Sequence, residues 1–345
     1  MPQDHDKPMS PRRRKLAMAG IALAALPPLA MSVSAPPIAI RFSIVASRDS
    51  SRGRAAQEFK ELVEARTGGR VRVEIFFDST LYAQRDELQA LQLGAVQVVC
   101  ANLHAFSSLG LSDLEAFELP YLFDSYASLR RVTNGPVGAR LLDQLREKGI
   151  EGLGFWDVGF KQLTANRPLR VPEDARGLSI RITYSRVSDL EVRVLGAIPQ
   201  PMSIADTRDA LGSGAVDATE LPAQLIDANR FDEVQRYLTI SNHGYIGSAL
   251  VVNLRFWERL PGDLRSAFAD AARQATVVAN SAAEKEETAA VAALEARGRM
   301  RVLTLSDAER RRWKQALMPV HSGSEDRIPT QTLRAIYSAS GFVPP

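Results

Sequence analysis

Apolar side chains recur along the chain at two alternating periods. IAIRFSIV at 38–45 alternates every second residue and predicts a strand. RAAQEFKELVEART at 54–67 sets Phe59, Leu62 and Val63 on one helical face, and Gly68-Gly69 ends it. VRVEIFF at 71–77 predicts a strand, QRDELQALQL at 84–93 a helix closed by Gly94, and VQVVCA the next strand. Strands alternating with helices predict an α/β fold with mostly parallel sheet.

Beyond the apolar loop LPYLF at 119–123, helices are expected near 125–133 and 136–148, then a strand at 149–157. The proline-rich NRPLRVPEDARG that follows reads as a crossing into a second lobe. Strands are expected at 178–182, 215–221, 236–241 and 247–253, with helices near 185–194 and 222–230. From Pro261 to Gly298 no proline or glycine interrupts an alanine-rich run after Gly262. As one helix it extends roughly 50 Å, enough to cross both lobes. Ser306 and Glu309 form a capping-box pair ahead of a further helix. The expected division is residues 38–158 plus 250–285 in lobe I and 159–249 plus 286–345 in lobe II.

The strand LSIRI at 178–182 raises a question of chemistry. Leu178, Ile180 and Ile182 alternate with Ser179 and Arg181. Arg181 therefore faces either water or an anion, and the two-residue period does not choose.

Composition narrows the function. The chain has 345 residues, 45% of them hydrophobic, and 43 basic against 40 acidic side chains, a net charge of +3. That balance gives no concentrated basic face for nucleic acid. Part of the excess is Arg12, Arg13, Arg14 and Lys15. An apolar run to about Met31 and the small residues Ser32, Ser34 and Ala35 follow, the order of an export signal over 1–35. Pro27-Pro28 argues against a membrane span, and the arginine pair leaves the twin-arginine and general secretory routes both open. The single cysteine, Cys100, allows no internal disulfide and reads as core. With no lipid-bearing cysteine near the signal, the expected location is free in the periplasm.

Phosphate-binding, dinucleotide and nucleophile-elbow glycine motifs are missing from the sequence. His5, His104, His243 and His321 have no partner at metal-ligand spacing. The expectation is a protein that is not an enzyme, with no cofactor and no metal.

Six stretches carry a family resemblance: FKELVEARTGGRVRVEIF, LQALQLGAVQVV, LPYLFDSYASLRRVTNGPVGARL, LTANRPLRVPEDARGLSIRI, LGAIPQPMSIADTRDALGSGAVDATELP and FDEVQRYLTISNH. In this order and spacing the chain, over about 40–320, resembles the substrate-binding proteins of TRAP (tripartite ATP-independent periplasmic) transporters. The resemblance implies a two-lobed periplasmic solute-binding fold with a ligand cleft between the lobes and a long helix spanning both. It implies capture of a small carboxylate-bearing organic acid and delivery to TRAP membrane permease subunits. A sensor module for a signalling receptor, or an enzyme acting on an organic acid, are the alternatives.

The resemblance gives Arg181 the ligand carboxylate, which a planar guanidinium grips with two parallel bonds. It places Lys161, Asn102, Gln84 and Ile204 at pocket positions. Trp156, Tyr184 and His243 are expected near the cleft. Glu220 and Leu221 fall in VDATELP, where relatives frequently read VDGQENP; Leu221 stands in place of a polar asparagine. That exchange points to a ligand less hydroxylated than a sugar acid. A lysine at 161 weakens the case for a second two-pronged carboxylate contact.

Overall fold

The structure is a computed structural model that describes residues 36–343. The expected export signal at 1–35 lies outside the described residues. Eleven strands form two sheets. They are β1 (Ile38–Ile44), β2 (Val71–Phe76), β3 (Val98–Asn102), β4 (Ile150–Phe160), β5 (Gln162–Ala165), β6 (Ser179–Ile182), β7 (Ile198–Pro201), β8 (Ala218–Leu221), β9 (Tyr237–Ile240), β10 (Tyr245–Asn253) and β11 (Arg301–Thr304). The first sheet runs β2-β1-β3-β10-β4 and the second β11-β9-β5-β8-β6-β7.

Parallel pairing is less dominant than the sequence predicts. β10 runs antiparallel to both β3 and β4, and β5 antiparallel to both β8 and β9. β1 is parallel to β2 and β3, β6 to β7 and β8, and β11 to β9. The two short strands β5 and β7 and the helix Ile204–Ser213 have no counterpart in the sequence reading. β7 carries Pro199 and Pro201, which argue against a strand, and β5 follows β4 after a single residue, so neither reads as a separate strand.

The first sheet is covered on both faces: Val99, Ala101 and Val251 join one buried cluster with Leu129 and Leu141, and the alternate residues join another. Phe42, Ile44, Val98 and Cys100 of the first sheet pack with Phe59 of helix Ser51–Arg66 and with Leu264, Phe268 and Ala275 of helix Gly262–Arg297. That last helix has 36 residues, about 54 Å of rod. Its first part packs on helix Ser51–Arg66 and β4, its later part on helix Ala223–Ala228 and β11. Its buried face is an alanine seam of Ala271, Ala272, Ala275, Ala279, Ala283 and Ala290. Gly298, in left-handed conformation, ends it. Among the described residues no helix is long and apolar enough to cross a membrane.

The chain crosses between sheets at Lys161, where β4 gives way to β5, and again between β9 and β10. β10 joins the first sheet from Tyr245 onward, earlier than the expected boundary at 250. At the C-terminus, helix Thr330–Ser340 packs on helix Tyr126–Thr133, an element expected in the other lobe; Arg131 donates to the carbonyl oxygens of Ala339 and Ser340.

Candidate functional site

A cavity of about 610 Å³ is lined from both sheets. From the second sheet come Arg181 and Thr183, two residues apart on one face of an extended segment, with Leu221 from β8 and Ile204 beyond it. From the first sheet's side come Gln84, Asn102 at the end of β3, and Ser47, Ser51 and Arg52 around the start of helix Ser51–Arg66. Gly53 permits that loop to fold over the helix: a Cβ there would lie 2.0 Å from the Ser47 carbonyl oxygen.

Arg181 is 3% exposed. Its Nη2 donates to the Met202 carbonyl oxygen at 2.8 Å, while Nε and Nη1 have no partner. Burial pulls the guanidinium down to about 10, against the opposing charge of Glu220. It stays charged at neutral pH, buried, with two donors unused. An unpaired buried cation is costly and is relieved by an anion that brings two acceptors.

Arg52 is the functional candidate that the sequence reading lacks. It is buried, and its Nη1 donates to Ser248 Oγ at 2.8 Å and Asn102 Oδ1 at 3.2 Å, both neutral acceptors. Ser50 caps the helix by accepting from Gly53 N, and Arg52 sits in a first turn that has no acidic residue of its own. The positive end of a helix disfavours a cation. That mismatch, a cap serine two residues ahead of an arginine, is the sequence signal that would have found it.

The cavity unites Arg181, Asn102, Gln84, Ile204 and Leu221 of the expected pocket residues. It does not include Lys161, Glu220, His243, Trp156 or Tyr184. Trp156 pairs with Ser248, which pairs with Asn102, so it shares their sheet face; it is fully buried deeper along it, beside Phe42, with its indole N–H donating to Thr276 Oγ1 at 2.9 Å. Tyr184 stands in a tight turn after β6, where Ser185 N donates to the Thr183 carbonyl oxygen at 2.8 Å; it is 51% exposed and lines a separate hollow of about 480 Å³. A third hollow, about 710 Å³, is an open depression beside Val277 and Arg273 and contains no buried charge.

Lys161, Glu220 and His243 form a buried ion cluster with Glu191. Lys161 Nζ lies 2.7 Å from Glu191 Oε2 and 2.9 Å from Glu220 Oε2, and donates to Ser188 Oγ at 3.2 Å. His243 Nε2 is 3.2 Å from both Glu191 Oε1 and Glu220 Oε2. Glu220 leaves the cavity face because Thr219 and Leu221 alternate with it along β8. Burial pushes its carboxyl up, but Lys161 and His243 outweigh burial and hold it at about 2. Burial, with Glu220's charge adding to it, pushes Glu191 up despite Lys161. Glu191, Glu220 and His243 have the spacing of a cation site, and the Lys161 ammonium already supplies the charge there. Gly244 makes room for it: a Cβ would stand 2.4 Å from Lys161 Cε, which the cluster holds in place.

The sequence matches the family described as bacterial extracellular solute-binding protein, family 7, over residues 42–326. It is 43% identical over 314 residues to the C4-dicarboxylate-binding periplasmic protein DctP of Rhodobacter capsulatus, covering 90% of this chain and 94% of that protein. The fold is similar to a TRAP periplasmic solute-binding protein of Shewanella oneidensis with bound succinate, with TM-score 0.84 and 34% identity over 88% of this chain and 99% of that one. It is also similar to one from Pseudomonas aeruginosa PAO1 with bound L-malate, with TM-score 0.80 and 35% identity over 83% and 100%.

Proposed function

This chain belongs to the bacterial extracellular solute-binding proteins of family 7, and on that premise we propose that its ligand is a C4-dicarboxylate held between Arg52 and Arg181. It is a solute-binding protein of the TRAP type, which hands its ligand to membrane permease subunits. The observation that carries the ligand assignment is a single cavity with two buried guanidinium groups, neither of them hydrogen-bonded to a carboxylate. One carboxylate meets the free Nε and Nη1 of Arg181; the other meets Arg52 and the amide N–H of Asn102. Leu221 and Ile204 supply an apolar wall for the methylene carbons. The relatives that bind C4-dicarboxylates, succinate and L-malate support the same class.

The reading includes export to the periplasm through residues 1–35, by the twin-arginine or the general secretory route. It includes two lobes that close over the ligand, drying the ion pairs and strengthening them. It includes no chemical step, so the ligand is released unchanged. Calorimetry with succinate, L-malate, acetate, butyrate and galactonate tests the class. The expected result is binding of the two dicarboxylates about tenfold or more tighter than of the other three acids. Equal or tighter binding of butyrate or galactonate overturns the two-guanidinium assignment.

A further inference from the structure

Two amides line the cavity, and each has one end used up by a neighbour. Asn102 Oδ1 accepts from Arg52 at 3.2 Å and from the Ser248 hydroxyl at 3.0 Å, which leaves its N–H groups for a ligand. Gln84 is turned the opposite way. Its Nε2 lies 3.0 Å from His104 Nε2, and no described residue bonds its carbonyl oxygen.

The direction of Gln84 follows from the proton on His104. His104 is 2% exposed, with Nδ1 2.7 Å from Glu118 Oε1. The Ser185 hydroxyl donates to the other oxygen of Glu118. Burial pushes the Glu118 carboxyl up, but His104, Lys161 and Ser185 together hold it below its ordinary value. An ionised carboxylate only accepts, so Nδ1 carries the proton. Gln84 turns its amide nitrogen, not its carbonyl oxygen, toward Nε2, the arrangement in which Nε2 is a lone pair and the groups facing it donate. These are the Gln84 amide and, at 3.5 Å, the Thr183 hydroxyl. The Gln84 carbonyl oxygen is the end that remains for the cavity.

We infer that Gln84, oriented by the His104–Glu118 pair, is a specificity residue that selects a dicarboxylate bearing a hydroxyl donor over its unsubstituted and keto counterparts. The inference rests on the dicarboxylate reading above. Arg52, Arg181 and Asn102 offer donors suited to carboxylate oxygens. Gln84 offers an acceptor. A hydroxyl on the carbon chain satisfies it, whereas a methylene leaves it unpaired and a keto oxygen sets lone pair against lone pair. Once a bound ligand covers it, an acceptor awaiting one hydrogen bond discriminates against the ligand that lacks the donor.

The test is calorimetry with L-malate, succinate and oxaloacetate on the wild-type protein, Gln84→Leu and Glu118→Gln. Wild type should bind malate about fivefold or more tighter than either analogue. Gln84→Leu should bring malate down to the succinate level and leave succinate within about twofold. Glu118→Gln lets His104 take the Nε2–H form, which turns the Gln84 amide round and shrinks the malate preference. A 15N spectrum should show His104 protonated on Nδ1 in wild type and altered in Glu118→Gln, a readout that loss of packing alone does not move. Equal affinities in wild type, a malate preference that survives Gln84→Leu, or a proton on Nε2 overturns the inference. Gln84 is only partly buried, so its variant stays informative if Glu118→Gln fails to fold. If none of the three acids binds wild type, the dicarboxylate reading falls, and this inference with it; the other outcomes leave that reading standing.

Discussion

Arg181 is tied to Met202 by one bond, Nη2 to the carbonyl oxygen at 2.8 Å, and the rest of its fork is unpartnered among the described residues. The tether fixes the plane of the guanidinium before any ligand arrives. The empty protein therefore keeps a desolvated cation in a fixed pose, and part of the orientation cost of binding is met during folding.

Removing that charge should separate binding from stability. Arg181→Met weakens dicarboxylate binding by about 2–5 kcal/mol, read by calorimetry. Ligand-free Arg181→Met should unfold no earlier than wild type, because burial already disfavours the charged form. A clear loss of thermal stability in the empty variant would show the guanidinium to be a structural support instead.

Arg52→Gln should distinguish the two ends of the ligand. The variant retains Arg181, so a C4 monocarboxylate binds it about as well as it binds wild type. Dicarboxylate affinity falls by about 1.5–3 kcal/mol, the scale of a charge-assisted bond. Parallel losses for both ligands, measured side by side, would contradict a separate second subsite.

Lys161→Met should destabilise the fold by about 3–5 kcal/mol, since it strands buried Glu220 beside Glu191. Chemical denaturation reads this. Affinity of the folded variant should change little, because Lys161 does not line the cavity. A variant that folds normally but loses the ligand would restore lysine to the ligand shell.

Asp157 gives a pH signature. It is buried, accepts from the Tyr245 hydroxyl at 2.7 Å, and burial raises its carboxyl to about 6 despite that bond and Arg130. Between the ordinary carboxyl value and about 6 the folded state holds more protons than the unfolded chain. Stability from this group is thus present at low pH, falls as pH rises through that window, and is level above it. Asp157→Asn should remove the slope, gaining about 1–3 kcal/mol on wild type by pH 7 relative to pH 4. Identical pH profiles for the two proteins in urea titrations would refute the assignment.

Long periodic elements were legible in the sequence: the helix expected over 261–298 is found at Gly262–Arg297, and the Ser306–Glu309 box is formed. The four-residue strands β5 and β7 were not, nor was the antiparallel course of β10. Pairing direction depends on how the chain returns, which local period does not encode. Arg181 and Gln84 came from motif resemblance and line the cavity. Lys161 and His243 came the same way, but their burial depends on Glu191, which no local pattern ties to them. Trp156 and Tyr184 were misjudged for separate reasons. Trp156 shares the sheet face of Asn102 but is covered by the long helix through Thr276, and Tyr184 stands in the turn after β6; neither depth nor turn is written in a local period.

Side chains of one carbon give the long rod a nearly smooth flank. Ridges that would interlock with grooves are shallow along such a flank, so few side chains must change rotamer when the rod shifts against its neighbours. Two polar side chains on that flank hold it against such a shift: Asn280 bonds the Asp157 N–H and the Phe155 carbonyl oxygen of β4, and Glu287 accepts from Ala223 N and Gln162 Nε2. Enlarging a single alanine on that flank, Ala279→Leu for example, would drive a wedge between the rod and the sheet beneath it.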